Sequence, residues 1–334
     1  MTTWVRSHAP GRVNLIGEHT DYVDGLALPM AIDLGTTIVG ERTTDRVTLR
    51  SDGFPGVVEL PLVIDDPTLV EPHWGRYVAG VVSVLRPSVG IDGTVSSTIP
   101  VGTGLSSSAA LELAVALAVG ATGTPLELAI ACQQAEQTAS GVPCGLMDQL
   151  TSASGIAGHA LLIDFRSLQI EPVPVPEDVE IVVIHSGQAR ELANSAYAHR
   201  RAQLEAAQLV IGPLRDATEH DLSAIVDPIA RARARHVVTE NARVLEFADA
   251  FRAGDAVSAG RFMTLAHTSF RDDFEASTPL VDALVERLLA TPGVHGARLT
   301  GGGFGGCVVA LAEPGTLAEG WVVHASAGAS VETR

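Results

Sequence analysis

GTGLSSSAALELAVALA, residues 102–118, decides how the rest of the chain is read. Two glycines and three consecutive serines run into an apolar, alanine-rich segment. Glycine lacks a Cβ, so its backbone can approach a ligand closely. Successive amides at a helix start bind anions through unsatisfied N–H groups and the helix dipole. The pattern predicts a phosphate-holding loop that opens a helix from about Ser107 to Val119. That helix is apolar nearly all round, which places it in a core. The common phosphate loop ends in Lys followed by Ser or Thr. Here no Lys follows, and none occurs anywhere in the chain. A tight turn leading into a small-residue helix fits the same letters, so the loop needs partners to acquire meaning.

Composition narrows the field. The 334 residues carry 22 basic and 39 acidic side chains, a net charge of −17. Such a chain is unsuited to sliding on nucleic acid or coating an anionic membrane. An anionic ligand would need local features: helix N-termini, single Arg side chains or a metal ion. The three cysteines, Cys132, Cys144 and Cys307, are odd in number and contain no CxxC pair, which suits free thiols in a reducing cytoplasm. The N-terminus lacks the apolar run of a signal peptide. The longest apolar-rich stretch, 109–119, is interrupted by Glu112 and too short to span a bilayer. The length suggests two domains. The Pro-rich EPVPVPED, residues 171–178, reads as an extended boundary between 1–178 and 179–334.

Local patterns give many elements. Residues 26–43 and 45–53 read as β-rich, GRYVAGVVSVLR as a helix, and DGTVSSTIPVG as a strand feeding the glycine-serine loop. Thr124, Pro125 and Glu127 form a capping-box start for the next helix. GHALLIDF and VEIVVIHSG read as strands. Helices are expected from about Glu191 to Gln208, over residues 228–254 and over 278–293. GARLTGGGFGGCVVALAEPG reads as strand, glycine loop, strand. Lacking a helix after its glycines, it is not a dinucleotide fingerprint.

Two further clusters carry chemistry. PGRVNLIGEHTDYVDGLALPMAID, residues 10–33, packs Arg12, Asn14, Glu18, His19, Asp21, Tyr22 and Asp24 between apolar segments. Carboxylates and imidazole at this density suit recognition of hydroxyl groups, although a solvated turn shows the same pattern. GVPCGLMDQLTSASG places Asp148 among apolar neighbours, where an Asp in a partly dry loop serves as a general base or, equally, caps a helix. Glu136, twelve residues earlier on the capped helix, reads by itself as a solvated face residue.

Taken in order, GRVNLIGEHTDY with LPMAI, PVGTGLSSSAALE, GVPCGLMDQ with GHALLIDFRSL, RELANSAYAHRR, RARHVVTEN, SFRDDFEASTP and GARLTGGGFGGC resemble the GHMP small-molecule kinases, at the branch that phosphorylates galactose. The resemblance spans nearly the whole chain. It implies a two-domain α+β fold, with an N-terminal domain of the ribosomal S5 domain 2-like type, a ferredoxin-like C-terminal domain and the active site between them. It implies galactose and ATP as substrates, Mg2+ as cofactor and a monomer. It assigns Asp148 as catalytic base and Arg12 as the transition-state cation. Glu18, His19, Thr20, Asp21, Gly145 and Tyr197 become sugar contacts. Gly102, Thr103, Gly104, Leu105, Ser106, Ser107 and Ser108 become the ATP phosphate loop, with Ser51 as a further nucleotide contact. Ser108 and Glu136 become magnesium ligands. On this reading Arg12 and magnesium supply the charge that the absent Lys would have given. Val23, His185 and Gln188 stand where the family commonly carries other polar residues, which bears on sugar stringency. A related sugar 1-kinase acting on N-acetylgalactosamine, a uronic acid or arabinose is the alternative. A non-catalytic galactose sensor fits less well, because the loop, Asp148 and Arg12 are all present.

Overall fold

The structure is a computed structural model that describes residues 3–188 and 193–334. In chain order its strands and helices are β1 (Trp4–Asn14), β2 (Leu26–Ala27), β3 (Pro29–Thr43), β4 (Arg46–Ser51), β5 (Val57–Pro61), α1 (Gly75–Leu85), β6 (Gly90–Ser97), α2 (Ser107–Ala118), α3 (Pro125–Ser140), α4 (Met147–Ser154), β7 (His159–Asp164) and β8 (Gln169–Pro174). They continue as β9 (Glu180–His185), α5 (Ala193–Ile211), α6 (Pro228–Arg252), α7 (Ala256–Asp272), α8 (Pro279–Leu289), β10 (Val294–Leu299), β11 (Cys307–Ala312), β12 (Trp321–Val323) and β13 (Ser330–Thr333).

Three sheets organise them. The first runs β13-β1-β3-β6-β4-β5, the second β10-β11-β9-β12 and the third β2-β7-β8. All pairings are antiparallel except β4 with β6. A register shift between Pro10 and Arg12 bends β1 just before the sugar-type cluster. Bulges of this kind re-aim a side chain, and here the shift falls at Arg12.

The glycine-serine loop does open a helix. Nearly all of α2 is buried, including Glu112, and Ser7 Oγ of β1 donates to Ala114 O at 2.7 Å. Helix α3 starts as its letters require, with Thr124 and Glu127 in a reciprocal capping box and Pro125 in the first turn. One apolar core joins the first sheet to α1–α4 and extends to Val244, Phe247 and Phe251 of α6. A second lies around Phe270, Phe274 and the four-stranded sheet. The two halves therefore share apolar packing, which fixes the cleft between them.

Some expectations change. EPVPVPED is not wholly a linker, since Glu171–Pro174 pair with β7 as part of β8. Its prolines are tolerated because β8 is an edge strand, where a missing N–H costs little. Asp148 is neither in a loop nor an N-cap. It occupies the first turn of α4, whose N-cap is Leu146. The helix expected from Glu191 is described from Ala193 onward, so its predicted start lies outside the described residues. Helix α7 falls where the sequence reading assigns no element, although Ala259, Met263, Ala266 and Phe270 recur at helical spacing and Asp255 caps its start. The final strand, β13, returns to pair with β1.

Candidate active site

The N-terminus of α2 opens into a cavity of about 560 Å3. The first turn of any helix has N–H groups without intrahelical acceptors. Here that turn includes Ser107 and Ser108, both lining the cavity. Gly102 and Gly104 reach it through positive φ values of 77° and 73°. Ser106, the N-cap, also adopts a left-handed conformation, at φ 59°. Its side chain does not cap α2. Ser106 Oγ donates instead to Asp148 Oδ2 at 2.5 Å.

Asp148 meets Arg12 at two points. Arg12 Nε donates to Oδ1 at 2.8 Å and Nη2 to Oδ2 at 2.6 Å. The third guanidinium nitrogen, Nη1, donates to Gly104 O at 2.8 Å. One buried cation thus ties the general-base candidate to the phosphate-type loop. Such planar, two-point pairing is the particular geometry of Arg, not Lys.

Beside this pair lies a carboxylate floor. Ser108 Oγ donates to Glu136 Oε1 at 2.9 Å. Gln149 Nε2 bridges Glu136 Oε2, at 2.5 Å, and Glu112 Oε2, at 3.2 Å. Burial, with Asp148 nearby, raises the Glu136 carboxyl above its ordinary value. Burial, then Glu136, likewise pushes Glu112 above its ordinary value. Far from being a solvated face residue, Glu136 is half-buried at the cavity wall, in negative company. Glu112 Oε1 and Gln149 Oε1 are both buried without a hydrogen-bond partner among the described residues. A hydroxyl and a carboxylate in an electronegative pocket are the hard oxygen donors that magnesium takes, alongside phosphate oxygens and water. The residues fit that ion. Among the described residues no group of three or more His, Cys, Asp or Glu is arranged to hold a metal on its own.

The opposite wall comes from the loop after β1. Asp21, His19 and Glu18 line the cavity with Gly145 and Tyr197. Asp21 Oδ2 accepts from Met147 N at 3.4 Å, and burial together with Asp148 raises its carboxyl to about 6. His19 has φ 60°, places Nδ1 2.7 Å from Tyr22 Oη, and packs 5.1 Å from the Tyr197 ring. Glu18 is largely engaged by protein. Arg298 Nη1 lies 2.5 Å from its Oε2, Asn14 Nδ2 donates to Oε2 at 2.6 Å, and Gly301 N donates to Oε1 at 2.7 Å. Burial raises it to about 7 against the pull of Arg298.

Four of the residues expected here do not line the cavity. Thr20 Oγ1 turns inward to Leu26 O at 2.7 Å and Gly17 O at 3.0 Å. Thr103 Oγ1 bonds Pro100 O at 2.7 Å, and Leu105 is part of the apolar core. Ser51 ends β4, and its Oγ accepts from Gly53 N at 3.2 Å. Val23 is likewise buried in the second core, away from the cavity. Conversely, Arg76 and Tyr77 of α1, His73 just before it, and Gly301 and Gly302 line the cavity outside the expected set. Only an Arg on an otherwise apolar helix marked α1 as unusual. For the buried Arg298, which the sequence reading passed over, the available signal is its place as the one Arg in the short strand β10.

A two-domain fold whose cleft sets an anion-ready helix start against buried carboxylates is that of the GHMP kinases. Residues 76–156 match the GHMP kinases N terminal domain and residues 247–321 the GHMP kinases C terminal. Residues 3–42 match the galactokinase galactose-binding signature. A galactokinase from Roseiflexus sp. is 45% identical over 324 residues, covering 91% of this chain and 82% of that relative. The Homo sapiens galactokinase is 44% identical over 324 residues, covering 91% and 83%. The Lactococcus lactis galactokinase, solved in complex with galactose, superposes with a TM-score of 0.91 at 32% identity, covering 98% of this chain and 95% of the other. The chain belongs to the galactokinase family, and it is a sugar kinase.

Proposed function

We propose that the chain transfers the γ-phosphoryl group of ATP to the anomeric hydroxyl of α-D-galactose, giving galactose 1-phosphate and ADP. The observation that carries this reading is the Arg12–Asp148–Ser106 cluster. It stands where the α2 N-terminus and the Asp21–Gly145 wall share one cavity. The phosphates lie against the first-turn amides of α2 and the hydroxyls of Ser107 and Ser108. The sugar lies against Asp21, His19 and Tyr197, with Glu18 fixing the loop from below. The anomeric oxygen forms its new bond to phosphorus as the bond from phosphorus to the bridging oxygen of ADP breaks. Asp148 orients the attacking hydroxyl and receives its proton. Arg12 faces the charge that spreads over the transferred group, and such positioning and electrostatics carry most of phosphoryl-transfer catalysis. Ser108 and Glu136 would hold Mg2+, which supplies positive charge to the phosphate oxygens when bound.

Thr20, Thr103, Leu105 and Ser51 serve the site through the backbone or the packing of their segments. We place the domain boundary near residue 178, with β13 returned to the first domain. No helix among the described residues is long and apolar enough to cross a membrane. Three free cysteines support residence in a reducing cytoplasm, and we propose a monomer as the working unit.

The test is ADP release across galactose, glucose, N-acetylgalactosamine, arabinose and galacturonate. A buried site that loses one or two hydrogen bonds to the wrong epimer discriminates by roughly tenfold to ten-thousandfold in kcat/KM. Galactose is expected to exceed glucose within that range. Equal values would reduce the reading to a general sugar kinase, and galactose binding without turnover would favour a sensor.

A further inference from the structure

The motif RARHVVTEN, residues 233–241, lies on α6, and none of its residues lines the cavity. Three of its side chains nevertheless reach the loop that carries Glu18, His19 and Asp21. All three end on backbone atoms. His236 Nε2 lies 3.2 Å from Glu18 O, Gly17 N donates to Glu240 Oε1 at 3.0 Å, and Leu26 N donates to Asn241 Oδ1 at 2.8 Å. His236 and Glu240 are four residues apart and so share a helix face. The bonds hold both ends of the loop, 17–18 at one side and 26 at the other.

The helix face is itself pre-set. His236 Nδ1 lies 3.0 Å from Ser269 Oγ of α7, and burial keeps its ring neutral, with a pKa near 4. Neutral imidazole carries one proton, and a carbonyl at Nε2 places it there. Arg243 Nε donates to Glu240 Oε2 at 2.8 Å. The loop is shaped to admit the helix: a Cβ on Gly25 would lie 2.8 Å from Asn241 Oδ1 and 2.7 Å from Thr20 Cβ. Between the held ends, His19 is kept at φ 60°, a conformation that costs a non-glycine residue energy and persists only where surroundings enforce it.

We propose that this face of α6 is a positioning clamp: it holds the sugar loop in its binding geometry and so sets sugar affinity without touching sugar. The inference rests on the reading of residues 18–21 as the sugar side of the cavity. Released from the clamp, the loop would spread over other conformations. Apparent affinity falls by the fraction of molecules still competent to bind. The machinery of transfer is tied down elsewhere, through Arg12, Asp148 and α2. The clamp should therefore govern KM for the sugar and leave kcat and the nucleotide alone.

The experiment compares Asn241→Ala and Glu240→Leu with Glu240→Gln, which keeps an acceptor for Gly17 N–H, and with Glu246→Ala on the exposed side of α6. Removing an acceptor from a buried N–H is expected to raise KM for galactose roughly tenfold or more. KM for ATP and kcat should stay within about threefold of wild type. Glu240→Gln should recover most of the loss, and Glu246→Ala should match wild type. Calorimetric titrations of galactose alone and of ADP alone should show the same split. If Glu240→Leu does not fold, the smaller Asn241→Ala change decides. Unchanged galactose affinity, or equal losses for galactose and ADP, would overturn the clamp. Wild-type protein that binds ADP but not galactose would overturn the sugar-loop reading, and the clamp with it.

Discussion

Gly145 lies directly beneath Asp21, so close that a methyl group on Gly145 would overlap Asp21 Oδ2. A glycine two residues before α4 and an acid in the loop after β1, far apart in the chain, therefore share one small volume at the cavity wall. Glycine is required here for closeness of approach; its φ is not in the left-handed region.

Gly145→Ala should push Asp21 out of place. Overpacking of this kind costs about 1–3 kcal/mol. A rise in KM for galactose of roughly tenfold is expected, with a lower melting midpoint, because the displaced carboxylate loses one hydrogen bond to the sugar. An unchanged KM would mean that Asp21 does not depend on this contact.

Asp148→Asn should lower kcat by about 10²–10⁴-fold while galactose still binds, since the amide keeps the shape but cannot take a proton. Arg12→Lys should also fail to restore wild-type turnover. Lys cannot make the two-point contact with Asp148 while bonding Gly104 O. Steady-state rates beside a galactose titration separate chemistry from binding. Near wild-type kcat in Asp148→Asn would remove it as the base.

Ser108→Ala and Glu136→Ala should each raise the magnesium concentration needed for half-maximal rate. They should also weaken Mn2+ binding to the ADP complex, measured spectroscopically in place of Mg2+. Magnesium is usually held by one or two protein groups with phosphates and water, so loss of either ligand matters. Metal titrations identical to wild type would dismiss both residues as ligands. Chelation of the metal should stop turnover in every variant.

Asp21 gives the fold a pH dependence whose sign is fixed. Its folded pKa is raised from 3.8 to about 6 by burial and by Asp148. Between those values the folded state binds more protons than the unfolded state. The stability this confers is complete below about pH 4 and lost as pH rises through 6. Asp21→Asn, which never ionises, should therefore be more stable than wild type at neutral pH, with the advantage shrinking toward pH 4. Urea midpoints across that range measure the gap. A constant gap would mean that Asp21 is not buried as a charge at neutral pH. The same variant should turn over galactose poorly, an acid kept at some cost in stability because the site uses it.

Much of this protein was legible in its letters because the physics involved is local. Thr124 and Glu127 cap α3 from three residues apart, and glycines and serines open α2 wherever that helix is placed. Strand alternation and helix starts rest on neighbours within one turn or one pleat. Arg12, Asp148 and the glycine-serine loop could be singled out for the same reason: each is an unusual residue in an apolar or glycine-rich frame. Partners were another matter. Arg12 finds Asp148 136 positions away. Glu136, which by itself reads as a solvated helix residue, becomes a half-buried acid bonded to Ser108 and Gln149 only because α2, α3 and α4 pack together. Thr20 and Thr103 turn their hydroxyls inward because nearby carbonyls needed donors. The role of α6 was invisible, since its side chains recognise backbone groups that any sequence would present. Sequence sets which groups are available and how each segment folds on itself. Packing decides which groups lose water and which face one another, and that is what makes a carboxylate a base, a metal ligand or a brace.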